Sequence, residues 1–220
     1  MTDSPFAHRF EELPDTIPVF PLAGVLLLPR GRLPLNIFEP RYLDMVRDTL
    51  GAERLIGMIQ PLSEGGDTAE PPLYRIGCAG RISEFAETDD GRFLVTLTGV
   101  CRFAVDQELA LTHGYRRVIA DWSGFEADFT AESDAGLDRD ALTRRLRLYF
   151  ESHDMTADWD TIRDTPDERL MTTLAMVCPF EPNEKQALLE ADNLKARSAV
   201  LGTLLDMATL GENRDDHARH

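Results

Sequence analysis

Hydrophobic positions along the chain change their spacing about halfway through. From Ile17 to about Phe125 apolar residues come in short runs broken by Pro and Gly, the pattern of short β-strands. From about Leu137 to Leu210 they recur at three- and four-residue intervals, the pattern of helices. The strand half opens with Ile17 to Leu22, Val25 to Leu28 and Leu33 to Phe38. Pro18, Pro21, Pro29 and Pro34 cannot donate to a ladder, so these strands must be short, bent or at sheet edges. Leu43, Val46 and Leu50 predict one face of a helix over 40–50, with Pro40 in its first turn and Gly51 at its end.

Further strands are expected at Leu55 to Pro61, Tyr74 to Phe85, Arg92 to Thr98 and Tyr115 to Trp122, with a loop over Ser63 to Pro72. Asp90-Gly91 between two of these runs predicts a hairpin, and Gly99 to Val105 extends its second arm or follows a bend. So many short strands with one helix point to a barrel-like or folded-over sheet. In the second half Leu142, Leu146, Tyr149 and Phe150 share one helical face. Thr165 to Glu168 has the form of a capping box opening a helix with Leu170, Leu174, Val177 and Cys178 inward. A short helix over Glu184 to Glu190 follows, then a longer one with Leu194, Leu201, Leu204, Leu205 and Ala208 along its stripe, capped by Asp192 and ending near Gly211. The expected organisation is a flexible tail (1–14), a β domain (15–125), an acidic linker (126–136), a helical bundle (137–211) and a disordered tail (212–220).

The 220 residues are 43% hydrophobic and 28% charged, which is ordinary for a globular protein. A net charge of −16 argues against nucleic acid or anionic membrane as partner, since phosphate-rich surfaces need a basic face. Cys78, Cys101 and Cys178 are far apart and odd in number, so buried free thiols in a reducing cytoplasm are expected. The first residues lack the basic-then-apolar pattern of a signal peptide, and the longest aliphatic run stops at Pro29, so no membrane span is expected.

Catalytic chemistry finds no foothold. Lys185 precedes Gln and Lys195 precedes Ala, so no Walker A motif exists. Gly77 and Gly80 are too closely spaced for a dinucleotide fingerprint and fit a strand bend or bulge. His8, His113, His153, His217 and His220 show no ligand spacing, so no metal or other cofactor is expected. Ser152, His153 and Asp154 are adjacent in sequence, whereas triads converge from separate segments.

The run from Ile17 to Tyr42, with Leu33-Pro34-Leu35-Asn36-Ile37-Phe38-Glu39-Pro40-Arg41-Tyr42 at its end, resembles the opening of the Lon protease N-terminal, substrate-binding domain. It is similar above all to short stand-alone bacterial members. Gly80-Arg81-Ile82, Asp90-Gly91-Arg92, Leu97 to Phe103 and Tyr115-Arg116 match that family's later strands in order, and Glu184 to Glu190 with Leu194 to Arg197 resembles its last two helices. The resemblance covers roughly 17–210 and implies an α+β fold: an N-terminal PUA-like β pseudo-barrel with one short helix, followed by a C-terminal helical bundle. It also implies recognition of polypeptides. Lon would continue beyond residue 220 into an ATPase module and a Ser–Lys protease, so neither activity is carried over.

Two readings of the early strands stand side by side. Pro34, Leu35, Ile37 and Phe38 pack the barrel as ordinary core. Alternatively some of them, with Leu26, Leu27, Glu39, Arg41 and Tyr42, line an apolar groove with a polar rim that takes an extended peptide by edge-strand addition. The expected function is non-enzymatic binding of unfolded or flexible polypeptides, or of a protease or chaperone partner, as an adaptor in protein quality control. An RNA-binding PUA-like module is one alternative. A small-molecule binder in a cleft between the halves, near Trp122 and Trp159, is the other.

Overall fold

A computed structural model describes residues 9–62, 70–131, 137–153 and 155–217. They fall into two compact units divided between Ala131 and Glu132. The first contains six strands and one helix: β1 (Thr16–Pro21), β2 (Arg32–Ile37), α1 (Pro40–Leu50), β3 (Leu55–Ile59), β4 (Ile76–Glu87), β5 (Phe93–Thr112) and β6 (Tyr115–Asp121). The sheet order is β2-β5-β4-β3-β1-β6, and β5 also pairs with β6. That last pairing closes β5-β4-β3-β1-β6 into a ring, which among the described strands leaves β2 at the edge. All pairings are antiparallel except β1 with β3, where Val19 sits opposite Gly57.

Closure depends on the length of β5. Its first half pairs with β2 and β4, and from Ala104 onward it pairs with β6. The predicted hairpin is present: Gly91 has φ +79° and its amide donates to Thr88 O at 2.9 Å. A second tight turn joins β5 to β6, with His113 (φ +47°) and Gly114 (φ +81°) both left-handed, the geometry that matches strand twist. Inside the ring Phe103, fully buried, fills the space that Gly57 and Gly77 leave open; a Cβ on either would lie within 2.8 Å of its ring. Gly80 lies at a register shift of β4, as expected of a glycine at a bulge. All three cysteines are free and buried, and burial pushes the Cys101 and Cys178 thiols up to about 12 and about 11, so neither forms a thiolate at neutral pH.

Several expectations are corrected. Val25 to Leu28 is not a strand; it crosses the sheet as irregular chain, with Leu26, Leu27 and Leu28 buried. Helix α1 begins at Pro40 and is capped by Gly51 as expected, but its buried face is Tyr42, Met45, Val46 and Thr49, with Leu43 and Leu50 half-buried. Within the tail predicted over 1–14, Phe10–Glu12 form a 3₁₀ turn and Leu13 joins the core; 1–8 lie outside the described residues. Glu126–Phe129, expected in a linker, form another 3₁₀ turn whose Asp128 is buried against Arg102. The rest of that linker, 132–136, and most of the loop expected over Ser63 to Pro72 lie outside the described residues.

The second unit holds α2 (Arg139–Ser152), α3 (Trp159–Asp164), α4 (Asp167–Val177), α5 (Pro182–Glu190) and α6 (Leu194–His217). Leu142, Leu146, Tyr149 and Phe150 are buried as predicted. The capping box at Thr165 to Glu168 does not form. An unforeseen helix, α3, precedes it, and the Thr165 hydroxyl donates back to Thr161 O at 2.7 Å. A capping box does open α5, between Glu181 and Glu184, two residues before the expected start. Val177 is 66% exposed rather than inward, Asn193 rather than Asp192 caps α6, and α6 continues past Gly211. Trp122 lies in the first unit's core, donating to Pro14 O at 3.0 Å, and Trp159 stacks near Arg147 within the second. Ser152 Oγ donates to Tyr149 O, which occupies it structurally; Asp154 lies outside the described residues.

Candidate functional site

The open edge of the sheet belongs to β2. The Gly99 amide donates to the Gly31 carbonyl at 2.8 Å, which sets the alternation of the antiparallel β2–β5 ladder. Leu33, Leu35 and Ile37 therefore turn their main-chain groups to β5. Arg32, Pro34 and Asn36 turn theirs outward, where the missing N–H of Pro34 costs no ladder bond. No described strand covers that side.

An apolar cleft of about 400 Å³ lies along this edge. Phe20, Leu22 and Val25 line it together with Leu33 and Leu35 of β2 and with Phe38, which is 62% exposed. Tyr42 also lines it, buried and packed against Phe20 with ring centroids 4.2 Å apart. On the rim Arg41 pairs with Glu39 at 2.8 Å. Beyond Tyr42 the cleft continues into a second, polar lobe of about 320 Å³; the two share Pro21, Arg41 and Tyr42. In that lobe Arg116 pairs with Glu108 and donates to Pro71 O at 2.7 Å. Glu70 lines the same lobe with no ion-pair partner among the described residues.

Burial holds the Tyr42 hydroxyl above its ordinary value of 10.0, so it carries its proton at neutral pH. Beside it Tyr115, pushed up to about 12 by burial and by its bond to Asp48, donates to Asp48 Oδ2 at 2.9 Å. The same oxygen meets His113 Nδ1 at 2.8 Å, so the β5–β6 turn is tied to α1. These bonds, His113 first, hold Asp48 below the usual carboxylate range. A depressed pKa adds stability that is present above the ordinary value of 3.8 and lost as pH falls through the folded-state value. Asp48→Asn is expected to lower the melting temperature slightly at neutral pH, because the group is exposed and solvent-screened. That difference closes in acid; a gap persisting at the lowest pH would overturn the assignment.

Of the residues singled out from sequence, Leu35, Phe38, Glu39, Arg41 and Tyr42 line the cleft together with Pro34. Leu26, Leu27 and Ile37 do not; at 2%, 1% and 3% exposure they are core, Ile37 although it shares the face of β2 that carries Leu33 and Leu35. Phe20, Leu22, Val25 and Leu33 were missed. The signal was available: Pro21 ends β1, so the apolar residues around it cannot all be ladder residues.

A ring of strands with one uncovered edge beside an apolar cleft, and a separate unit of helices, defines an α+β protein with a mixed sheet. The chain belongs to the ATP-dependent protease La (LON) substrate-binding domain family, whose model matches residues 16–207. Lon protease 2 of Sorangium cellulosum is 34% identical over 193 residues, taking in 83% of this chain and 23% of its own length. Lon protease 2 of Myxococcus xanthus is 25% identical over 89% of this chain and 24% of its own. The chain thus spans about a quarter of the curated relatives it matches. The fold is similar to that of a Lon N-terminal domain protein from Xanthomonas campestris (TM-score 0.57, 23% identity, 84% of this chain and 96% of that one). It is likewise similar to the N-terminal domain of Mycobacterium avium complex Lon protease (TM-score 0.59, 15% identity, 87% and 98%).

Proposed function

We propose that this protein is a non-catalytic binding module that takes unfolded or flexible polypeptide segments at the open edge of β2, as an adaptor in cytoplasmic protein quality control. The observation that carries this reading is the uncovered main-chain row of Arg32, Pro34 and Asn36 running beside an apolar cleft. An added strand gains main-chain hydrogen bonds from the edge, and its alternate side chains reach the cleft. Family membership supports a substrate-binding role, and no helix among the described residues is long and apolar enough to cross a membrane.

The test is fluorescence anisotropy of a labelled, permanently unfolded polypeptide without nucleotide. Saturable binding tighter than about 100 µM, worth ~5.5 kcal/mol, is expected to survive raised salt. Phe38→Ala should weaken it by about 1 kcal/mol through lost apolar contact and leave the melting temperature unchanged, since Phe38 is mostly exposed. Absence of binding, or indifference to Phe38, would abandon the reading.

A further inference from the structure

The Tyr42 side chain is 6% exposed, lines both lobes of the cleft, and its hydroxyl has no hydrogen-bond partner among the described residues. The hydroxyl reaches the solvent of the cleft, because among the described buried side-chain polar atoms only Arg117 Nε lacks a partner, so an occupant there exchanges a bond to water for one of its own. The charges around it are already matched: Arg41 with Glu39, and Arg116 with Glu108. What remains is the Glu70 carboxylate in the polar lobe, on a protein of net charge −16.

Resting on the polypeptide-binding reading, we infer that the occupant is an extended stretch with a bulky apolar residue in the lobe lined by Phe20, Val25 and Leu35, a main-chain carbonyl on the Tyr42 hydroxyl, and a lysine or arginine beyond it facing Glu70. Tyr42 serves as the anchor because it stands where the lobes join. A carbonyl placed there accepts from its hydroxyl while the neighbouring side chain enters the apolar lobe. An acidic flank is disfavoured, since it would meet the Glu70 carboxylate, which no described cation pairs, within a negative field.

The experiment uses the full chain and three labelled peptides that share one Val/Leu/Phe core and differ only in flanks of Lys, Ser or Glu. The Lys-flanked probe is expected to bind about fivefold tighter than the Glu-flanked one at low salt, the gap closing at high salt. Glu70→Gln should narrow that gap and leave the Ser-flanked probe unchanged. Tyr42→Phe keeps the ring against Phe20 and should weaken all three by about fivefold, the size of one uncharged hydrogen bond, at an unchanged melting temperature. If the three bind equally, or Tyr42→Phe binds like wild type, the inference falls while the groove reading stands. If no probe binds the wild-type protein, both fall.

Discussion

Asp128→Ala is expected to cost the first unit about 3–5 kcal/mol, because it strands a charge in the interior. Arg102 and Asp128 have side chains only 5% and 7% exposed. The carboxylate accepts from Arg102 Nη2 at 2.8 Å, from Nε at 3.0 Å and from the Arg102 amide at 2.9 Å. The guanidinium also lies 5.1 Å over the Phe125 ring. An arginine cannot shed its proton to escape, so removing the acid leaves it both charged and dry. Replacing both partners by apolar residues should recover most of the loss, since the pair's attraction mainly repays its own desolvation. Denaturation read from Trp122 fluorescence in a Trp159→Phe background isolates the unit that holds the pair. A loss below about 1 kcal/mol, the scale of a solvated surface pair, would show that this one is not closed off from water.

Asp128 also shows what composition hides. Read as sequence, Glu126 to Asp140 is an acidic stretch without apolar period, and such stretches are solvated far more often than packed. Only the third dimension brings Arg102, 26 residues away, against it. Val25 to Leu28 shows the converse. Four aliphatic residues in a row look like a strand, but the burial of Leu26, Leu27 and Leu28 suits an irregular crossing segment equally well, and periodicity cannot tell the two apart. The hairpin at Thr88 to Gly91 and the start of α1 at Pro40 were legible because each rests on local backbone chemistry of Asp-Gly and Pro. The 20-residue β5 was legible only in pieces, since Gly99 interrupts its pattern midway.

The same distinction divides the cleft. Phe38 to Tyr42 could be named because an apolar strand passing into a Glu-Pro-Arg-Tyr helix start leaves its junction exposed. Leu26, Leu27 and Ile37 share that apolar character and belong to the core, because how deeply a position on a strand or crossing segment is covered depends on partners distant in sequence. Glu70 and Arg116 enter the polar lobe through loop and hairpin placement, which no local pattern encodes.

Gly99→Ala should be more disruptive than any surface change, because the new methyl would collide with backbone. Its Cβ would sit 2.0 Å from Leu28 O and 2.8 Å from Leu28 C, where no rotamer can relieve the clash. Either β5 or the buried Leu26 to Leu28 segment must move, at a cost of more than about 3 kcal/mol. The damage reaches the cleft, since Gly99 O accepts from the Arg30 amide and Gly99 N–H donates to Gly31 O, both at 2.8 Å, where the chain enters β2. Arg30 holds a left-handed φ of 63° at that turn, so the segment has little freedom to adjust. Gly124→Ala is the matched control: a Cβ there meets nothing within 4 Å, and its effect should stay within about 0.5 kcal/mol. Both variants would be melted on the Trp122 signal and titrated with the unfolded polypeptide at a temperature where they are folded. Gly99→Ala is expected to lose stability and affinity together, because the crossing segment sets the position of the open edge. Equal melting of the two variants would mean that the crossing segment yields freely. Lost stability with unchanged affinity would place the binding edge elsewhere than β2.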